Sequence, residues 1–524
     1  MRAVRLFPAF PGQSAAAALA VLGLRQPLPC GGQGRCGNCV VWLRGALALP
    51  DEAERTVLKA RVQGNAPLPG YVPRLACRCR LQGYAECLFA EEDAQVHAAA
   101  PSAGDFTLPP YVGDAPNSLG FAVDIGTTTI TLELFRFPET KPIVSISEMN
   151  RQSAFGADVL SRIAHAAAHG KESGVSCIQE QLAAMLFSAL ARANASPDEI
   201  TRGCATGNTT MLHFLANLSP VSMGQTPFTP CTLFGEEHAA NEILPVLPPT
   251  ARLYLPPSVS AFVGADITCG ALACNLCATE NTLLADVGTN GEMMLHTKAG
   301  ALFCCATAAG PAFEGAEITM GMPALPGAVD RVWGEGGRLC WHMVGALTEN
   351  KAKGICGTGL ISALRFFLED GTLGETGGIE AQEDNPYLLW REDGPALWLG
   401  ESGVVITQRD IRKLQLVKAS IAAGIDTLLA ERGLSPADLG RLWLGGGFGS
   451  FLAPDDAAAI GMLPAAAAAR AQPAGNIALR GAEMLLFNSD CREQARKIAQ
   501  NATEIPLATH PVFQDAFVER MGFR

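Results

Sequence analysis

Apolar positions divide the chain into stretches with different expected structures. Residues 15–24 form an apolar stretch, and we expect residues 13–24 to form a short buried helix. Residues 182–193 and 416–432 carry apolar side chains at helical spacing and predict two core helices. Two β-branched stretches, residues 120–135 and 282–295, are each interrupted by a glycine-containing turn, so each predicts a strand, a turn and a second strand.

A third apolar stretch, residues 442–452, runs into a series of glycines and predicts a strand followed by a loop. Residues 91–118 are rich in Ala, Pro, Gly and Asp and lack periodicity, which predicts a linker. This linker is either a tether that lets the preceding domain visit several docking positions or a simple spacer. We therefore expect an α/β multidomain chain, with an N-terminal domain at 1–90, a linker at 91–118, a first lobe at 119–225 and a second lobe at 226–524.

Length and composition exclude several classes of protein. The 524 residues exceed what one hydrophobic core holds, and 48% hydrophobic with 17% charged residues excludes disorder over most of the chain. No run of 18 uninterrupted apolar residues occurs, so we expect no membrane partner. The net charge of −12, without a basic stripe, argues against nucleic acid. Residues 1–100 alone carry +4, which is either a solvated surface or a docking face for an acidic partner.

Seventeen cysteines are the unusual feature of the composition. Residues 30–39 read CGGQGRCGNC, and a further candidate follows in RLACRC at residues 74–79. Four thiolates can bind two irons, while glycines between them let backbone N–H groups point at the cluster sulfides. Zinc is the alternative, although structural zinc sites favour paired C-x2-C segments. The candidate metal ligands are Cys30, Cys36, Cys39 and Cys77, with Cys79 as the other possibility for the fourth.

This spacing resembles that of 2Fe-2S ferredoxins of the adrenodoxin type, over residues 1–90. The resemblance implies a β-grasp fold and a 2Fe-2S cluster, and its LAC placement favours Cys77 as the fourth ligand. The segment before the helix at residues 13–24 is too short for the usual two-stranded hairpin, so we expect a trimmed β-grasp.

The two strand–turn–strand units carry the residues expected at a phosphate site. A glycine in each turn lets the backbone approach a phosphate, threonine hydroxyls and N–H groups donate to it, and Asp124 can hold Mg2+ through water. Asp124 and Asp286 lie 162 residues apart, which indicates a duplicated lobe with a nucleotide between the copies. The candidates are Asp124, Gly126, Thr127 and Thr128 in the first unit, and Asp286, Gly288, Thr289, Asn290, Gly291 and Glu292 in the second.

The glycine run after the third strand offers a flat surface for adenine and ribose, at Gly445, Gly446, Gly447 and Gly449. Together the three motifs resemble the RNase H-like ATPase fold shared by acetate and sugar kinases, heat-shock chaperones and actin, which implies ATP and Mg2+ as ligands. The chain has no G-x-x-x-x-G-K-[ST] sequence, which excludes a P-loop ATPase.

Two further groups have alternative interpretations. Gly207, Asn208 and Thr209 either contact phosphate or cap the following helix. Asp158 and Asp266 stand at expected helix starts, so they are helix caps first and catalytic candidates second. We take Asp124, Asp266 and Asp286 as the candidate catalytic residues.

The order of motifs resembles that of the reductive activators of corrinoid proteins over essentially the whole chain: the cysteine loop, DIGTTT, FGADVLSRI, GNTTM, DVGTNGE, GPAFEGA and LGGGFG. The resemblance implies an ATP-dependent enzyme that passes one electron from a low-potential donor through a 2Fe-2S cluster to inactive Co(II) corrinoid on a methyltransferase partner, restoring Co(I). We also expect a homodimer. The chain lacks D-x-H-x-x-G, so it is not expected to carry the corrinoid itself.

Three other functions remain open at this stage. One is a redox-sensing, ATP-binding regulator without turnover. The second is an activator of a 2-hydroxyacyl-CoA dehydratase-like radical enzyme, and the third is a small-molecule kinase, which leaves the cluster unused. Thirteen cysteines outside the four candidate ligands suit reduced core thiols, so we expect an anaerobic or strongly reducing cytoplasm.

Overall fold

The computed structural model describes residues 2–6, 12–21, 34–35, 37, 39–62, 68–89, 106–113, 115–170, 172–310, 312–315, 317–345, 351–380, 382 and 384–523. Cys30, Cys36 and most of the expected linker lie outside these residues. Among the described helices, none has the length and apolar character needed to cross a membrane.

The N-terminal unit is an antiparallel sheet of order β1-β4-β2-β3 with two helices. Its elements are β1 (Arg2–Leu6), α1 (Ala15–Val21), β2 (Val40–Leu47), α2 (Glu52–Arg61), β3 (Val72–Leu75) and β4 (Leu81–Phe89). Among the described residues one strand precedes α1, and residues 7–11 lie outside them, so the trimmed β-grasp stays a prediction. Asp51 caps α2 by accepting from the Glu54 N–H, and buried Glu54 pairs with Arg74 at 2.9 Å, which ties α2 to β3.

The first lobe is built on a six-stranded sheet of order β7-β6-β5-β8-β10-β9. Its elements are β5 (Leu119–Ile125), β6 (Thr129–Arg136), β7 (Val144–Met149), α3 (Val159–His169), α4 (Glu172–Ala193), β8 (Ile200–Gly207), α5 (Thr209–Leu215), β9 (Glu236–Ala239), α6 (Ala240–Ile243) and β10 (Arg252–Leu255), followed by α7 (Ala265–Ala273). The strands β5 and β6 form the expected hairpin, and α4 contains the helix predicted at 182–193.

The predicted end of this lobe at residue 225 is wrong, because β9 and β10 pair into the first sheet beyond it. The lobe therefore extends at least to residue 255. The local apolar pattern does not indicate which distant strands pair in a sheet, so it predicts the end of the first lobe too early.

The second lobe repeats the arrangement in the order β21-β20-β11-β12-β13-β22. Its elements are β11 (Thr282–Val287), β12 (Gly291–His296), β13 (Leu302–Thr307), β14 (Ala328–Glu335), β15 (Arg338–Met343), β16 (Gly354–Ile355), α8 (Gly357–Asp370), β17 (Leu388–Arg391), β18 (Gly394–Trp398), β19 (Val405–Thr407), α9 (Gln408–Ala430), β20 (Arg441–Gly445), α10 (Gly446–Gly449), α11 (Pro454–Ala459), α12 (Ala465–Ala468), β21 (Ala471–Gly475), α13 (Ile477–Phe487), α14 (Asp490–Asn501), β22 (Ala502–Glu504) and α15 (Pro511–Glu519).

The two six-stranded sheets share their topology. In each, an antiparallel hairpin is extended by a third antiparallel strand on one side and by two parallel strands on the other. Strands β5, β6, β7, β8 and β10 thus correspond to β11, β12, β13, β20 and β21. This correspondence confirms the duplication that the two strand–turn–strand units predict. Two small sheets, β15-β14-β16 and β17-β18-β19, are added to the second lobe.

Helices α7 and α13 pack against each other where the lobes join. Gly481 of α13 lies so near α7 that a Cβ on it would stand 2.1 Å from the Cys269 carbonyl oxygen. Glycine is therefore required at this crossing. The N-terminal unit contacts the second lobe through α2, from which Arg61 donates to the Ile318 and Thr319 carbonyls.

Candidate functional site

The two glycine-containing turns face each other across a cleft between the lobes. Residues 126–128 connect β5 to β6 and residues 288–290 connect β11 to β12. The hydroxyl oxygens of Thr128 and Thr289 lie 3.0 Å apart, so the turns meet at the cleft floor. The cleft has a volume of about 1280 Å³, and residues of both turns, both strand-end aspartates and the glycine run line it.

Four carboxylates converge on this cleft from four elements. Asp124 is the last residue but one of β5, Asp266 lies in the first turn of α7, Asp286 is the last residue but one of β11, and Glu292 is in β12. Gly264 occupies the N-cap of α7 and Asp266 Oδ1 accepts from the adjacent Ile267 N–H, so the expected helix cap is not formed by Asp266. The side chains of Asp266 and Glu292 hydrogen-bond to each other, which requires a shared proton.

Burial dominates the electrostatics of these carboxylates. It raises the pKa of Asp124 to about 7, against the hydrogen bond that the Asn476 amide donates to Asp124 Oδ2 at 2.9 Å. Burial and then the charges of Asp266 and Asp124 raise the pKa of Asp286 well above its usual value. Burial likewise raises the pKa of Glu292. No Lys or Arg among the described residues forms an ion pair with any of them. Such a crowded, uncompensated set of carboxylates favours a cation.

A fifth carboxylate, Glu314, binds the second turn from the side. Its Oε1 accepts a 2.8 Å hydrogen bond from the Thr289 hydroxyl, while Oε2 is buried and has no hydrogen-bond partner in the described structure. Burial raises the pKa of Glu314 to about 7. The adjacent Phe313 stacks on Phe448 of α10, with ring centroids 4.2 Å apart and an interplanar angle of 3°.

Glycines keep the cleft open where the backbones approach each other. A Cβ on Gly446, whose φ is +86°, would stand 2.3 Å from Asp286 Oδ1. At Gly447 a Cβ would meet nothing within 4 Å, and at Gly288 it would meet only the Asn290 carbonyl at 3.8 Å. Both therefore leave room inside the cleft. Of the predicted adenosine loop, Gly445 ends β20, while Gly446, Gly447 and Gly449 form the short helix α10.

The residues after β8 serve the first turn. Asn208 caps α5 by accepting from the Met211 N–H, and its amide donates to the Thr127 hydroxyl at 3.1 Å. Gly207 ends β8, and the Thr209 hydroxyl donates to the Ser260 carbonyl at 2.6 Å. The capping interpretation of Asn208 is thus confirmed, and the same side chain also supports the first turn.

A buried arginine lies behind the first turn. Arg162 of α3 is 2% exposed and donates to the carbonyls of Thr127 and Gly156 at 2.5 and 3.0 Å. Burial lowers the pKa of Arg162 to about 10, although the charge of Asp158, the N-cap of α3, opposes this. Arg162 pairs with no carboxylate among the residues described here. A positive charge without a counter-ion therefore supports the turn where an anion is expected.

The cysteine loop is described in part. The sulfur atoms of Cys39 and Cys77 lie 3.2 Å apart in a buried position. Gly34 and Gly37 have φ of +73° and +75°, and a Cβ on either would collide with the side chain of Arg78 or Arg61. These cysteines and glycines suit an iron-sulfur cluster. Cys79 is fully buried in the core of the N-terminal unit, and burial raises its pKa to about 11.

Within the described ranges, no three His, Cys, Asp or Glu side chains lie at a spacing that holds a metal ion. The sequence also missed three residues of the cleft: Asn476, Arg162 and Glu314. The last two lie in the FGADVLSRI and GPAFEGA motifs and had no role assigned. Asn476 follows a strand as a helix cap, a signal too common to select it.

Comparison with known proteins follows the same division of the chain. Residues 119–279 match a family model described as the RACo middle region, and residues 280–524 match one described as the C-terminal domain of RACo, the ASKHA domain. The chain is 26% identical to the corrinoid activation enzyme RamQ of Eubacterium limosum, covering 96% of this chain and 95% of the relative. It is 25% identical to the [Co(II) methylated amine-specific corrinoid protein] reductase of Methanosarcina barkeri, covering 77% of each.

Among solved structures, a reductive activator for a corrinoid, iron-sulfur protein superposes with a TM-score of 0.72 at 27% identity, covering 99% of this chain and 98% of that one. The likeness thus extends over the N-terminal unit as well as the two lobes.

Proposed function

The chain belongs to the RACo family of reductive activators of corrinoid proteins, and from this premise we propose that it reduces the Co(II) corrinoid of a methyltransferase-system partner to Co(I) in an ATP-dependent reaction, with a 2Fe-2S cluster as its electron carrier. The observation that carries the proposal is one chain holding both a paired-cysteine loop and a cleft that suits a nucleotide with its cation.

The cysteine loop supports the cluster. When bound, a 2Fe-2S group would supply a carrier for single electrons. Cys39 and Cys77 present sulfur atoms side by side, and we propose Cys30 and Cys36, which lie outside the described residues, as the other two ligands. Cys77 is preferred over Cys79 because its sulfur adjoins that of Cys39.

The cleft supports ATP with Mg2+. Threonine hydroxyls and backbone N–H groups of the two turns donate to phosphates, and open space at Gly288 and Gly447 admits them. Magnesium is usually held by one or two carboxylates together with substrate phosphates and water. We propose Asp124 and Asp286 for that role, because each is the last residue but one of a corresponding strand, β5 in one lobe and β11 in the other, and Asp266 as the remaining catalytic candidate.

Nucleotide binding is the source of driving force in this proposal. An uphill electron transfer costs about 2.3 kcal/mol per 100 mV. A ligand that binds two conformers with different affinities shifts their populations by that difference, and a 10⁴-fold preference corresponds to about 5.5 kcal/mol. Two lobes that each contribute a phosphate turn provide such conformers, because closing them changes the contacts available to the phosphates.

The proposal includes a low-potential electron donor, a corrinoid protein as acceptor, a homodimer and a reducing cytoplasm. The cluster domain spans residues 1–90, and the two ATPase lobes follow the linker at 91–118.

One anaerobic experiment tests the proposal. The reconstituted chain is mixed with a low-potential reductant, ATP and candidate Co(II) corrinoid proteins, and Co(I) is followed optically. Co(I) formation that requires ATP is the expected result. ATP binding and cluster reduction without Co(I) from any corrinoid partner would instead favour a redox-sensing regulator.

A further inference from the structure

Arg61 connects the N-terminal unit to the second lobe and lies beside the cysteine loop. It is the last residue of α2, and its aliphatic stem covers Gly37, which lies two residues before Cys39 in the cysteine loop. A Cβ on Gly37 would stand 2.6 Å from Arg61 Cγ and 3.0 Å from Val57 Cγ1. The loop is thus in direct van der Waals contact with α2, and any displacement of Arg61 changes what supports Gly37.

The guanidinium of Arg61 faces the other way, into the second lobe. Its Nη2 donates to the Ile318 carbonyl at 3.2 Å, and its Nη1 donates to the Thr319 carbonyl. Lys59 on the same helix lies 4.0 Å from Glu392, an exposed pair that contributes little. Arg61 therefore provides the polar part of this docking contact through two backbone carbonyls.

Those carbonyls belong to a segment formed by residues 312–315 and 317–322, which we call the strap. The strap is anchored on α9, because Asp410 Oδ1 accepts from the Thr319 N–H and hydroxyl at 2.8 and 3.0 Å. Its two parts also pack tightly on each other. A Cβ on Gly315 would stand 2.3 Å from the Met322 nitrogen, and one on Gly321 would stand 2.2 Å from the Gly315 carbonyl oxygen. Such close packing leaves little room for one part of the strap to shift without the other.

The other end of the strap lies in the cleft. Phe313 stacks on Phe448 of α10, and Glu314 accepts a hydrogen bond from the Thr289 hydroxyl in the second turn. A continuous set of contacts thus runs from Gly37 through Arg61 and the strap to Thr289. Contact alone does not establish coupling, so the experiment has to measure it.

We propose that Arg61 is a positioning residue which docks the cysteine loop on the strap, and that nucleotide in the cleft loosens this docking. The proposal rests on the proposed nucleotide site and adds its regulation. The Thr289 hydroxyl has one proton to donate, so a phosphate and Glu314 compete for it. Above about pH 7, where Glu314 is ionised, phosphate and carboxylate also repel each other, which moves Glu314 and the strap away from the turn.

Coupling between two sites is reciprocal, which gives two independent readouts. Nucleotide is expected to increase hydrogen exchange in α2, where Arg61 stands. Conversely, removing the Arg61 contacts is expected to tighten nucleotide binding. Coupling free energies of this kind usually correspond to factors of about 5 to 150 in affinity.

The test uses the full reconstituted chain with ADP as the probe. Arg61→Met keeps the aliphatic stem over Gly37 and removes the donors to the strap. Arg55→Met is the matched control, because Arg55 is exposed on the same helix and the substitution removes the same charge. We expect the ADP Kd of Arg61→Met to fall at least about fivefold while that of Arg55→Met is unchanged. In the wild type, ADP is expected to speed exchange at residues 52–62, and this response is lost in Arg61→Met.

An unchanged or weaker ADP affinity in Arg61→Met, or exchange at residues 52–62 that ignores ADP in the wild type, would overturn the coupling. The wild-type exchange measurement needs no variant, so a misfolded Arg61→Met leaves the proposal testable. If the wild type fails to bind ADP at all, the proposed nucleotide site fails with it. Binding without any response at α2 overturns the coupling alone.

Discussion

Thr128 and Thr289 lie 161 residues apart in the chain, yet their hydroxyl oxygens are 3.0 Å from each other across the cleft. Each belongs to the equivalent turn of one lobe, so the contact joins the two halves of the duplication at their most similar point. We expect a nucleotide phosphate at the proposed site to compete for this contact, because the hydroxyls of both turns can donate to it.

Thr128→Val keeps the shape of the side chain and removes its hydroxyl. We expect ATP affinity to fall about tenfold, since a hydrogen bond to a charged group contributes about 1.5–3 kcal/mol. Titration calorimetry measures the effect. Thr201→Val is the control, because the Thr201 hydroxyl bonds to Ser118 away from the cleft. Equal losses in both variants would contradict a phosphate role for the turn.

Asp286→Asn is expected to move stability and binding in opposite directions. It removes one buried negative charge from a group of like charges, so the ligand-free protein is expected to become more stable by about 1 kcal/mol. Binding of Mg-ATP is expected to weaken at least tenfold. Thermal unfolding with and without Mg-ATP measures both effects.

The matched control is Asp426→Asn, because Asp426 is paired with Arg520 at 2.7 Å far from the cleft. That variant is expected to lose stability and to keep its Mg-ATP affinity. Loss of stability in Asp286→Asn as well would show that Asp286 serves the fold.

Arg162→Met tests the buried charge behind the first turn. The side chain keeps much of its volume but no longer donates to the Thr127 carbonyl, and the positive charge near the phosphates is lost. We expect ADP affinity to fall at least tenfold, with Arg162→Lys intermediate. Arg151→Met, at an arginine whose charge pairs with Glu148 on the surface, is expected to bind ADP normally.

The fourth cluster ligand can be identified with three single variants. Cys77→Ser is expected to lose the visible absorbance of the reconstituted 2Fe-2S form and to bind less iron. Cys79→Ser and Cys87→Ser, at two fully buried thiols of the same core, are expected to keep both. Retained absorbance in Cys77→Ser together with its loss in Cys79→Ser would reverse the assignment.

Lys418 makes stability depend on pH. It is fully buried, its ammonium donates to the Gly522 carbonyl, and burial together with the Arg520 charge lowers its pKa to about 8. The unfolded chain keeps this proton up to a higher pH than the folded chain does. The buried ammonium therefore lowers the free energy of unfolding below pH 8, and this loss disappears as the pH rises further. Relative to Lys418→Met, the wild type is expected to gain roughly 2 kcal/mol in free energy of unfolding between pH 8 and pH 10. Urea unfolding at several pH values measures it, and a pH-independent difference would contradict the lowered pKa.

Local pattern was enough to predict the two hairpins, the core helices and the duplication, because each depends on neighbouring residues. It did not place the lobe boundary, since β9 and β10 join the first sheet by pairing with distant strands. The site shows the same division. Asp124 and Asp286 lie near the ends of apolar strands, where the local pattern predicts them, whereas Asn476 reaches Asp124 across 352 residues of chain. Arg162 and Glu314 contact the two turns only through packing that no spacing rule contains.

The crossing of Gly481 over Cys269 has a mechanical consequence. Each helix at this crossing begins in the cleft, α7 with Asp266 and α13 just after Asn476. Because position 481 carries no side chain, we expect the two helices to rotate about this contact without separating. A small rotation at this crossing alters the distance between Asp266 and Asn476. A larger residue at position 481 is therefore expected to change how far the cleft opens and to leave its side chains unchanged.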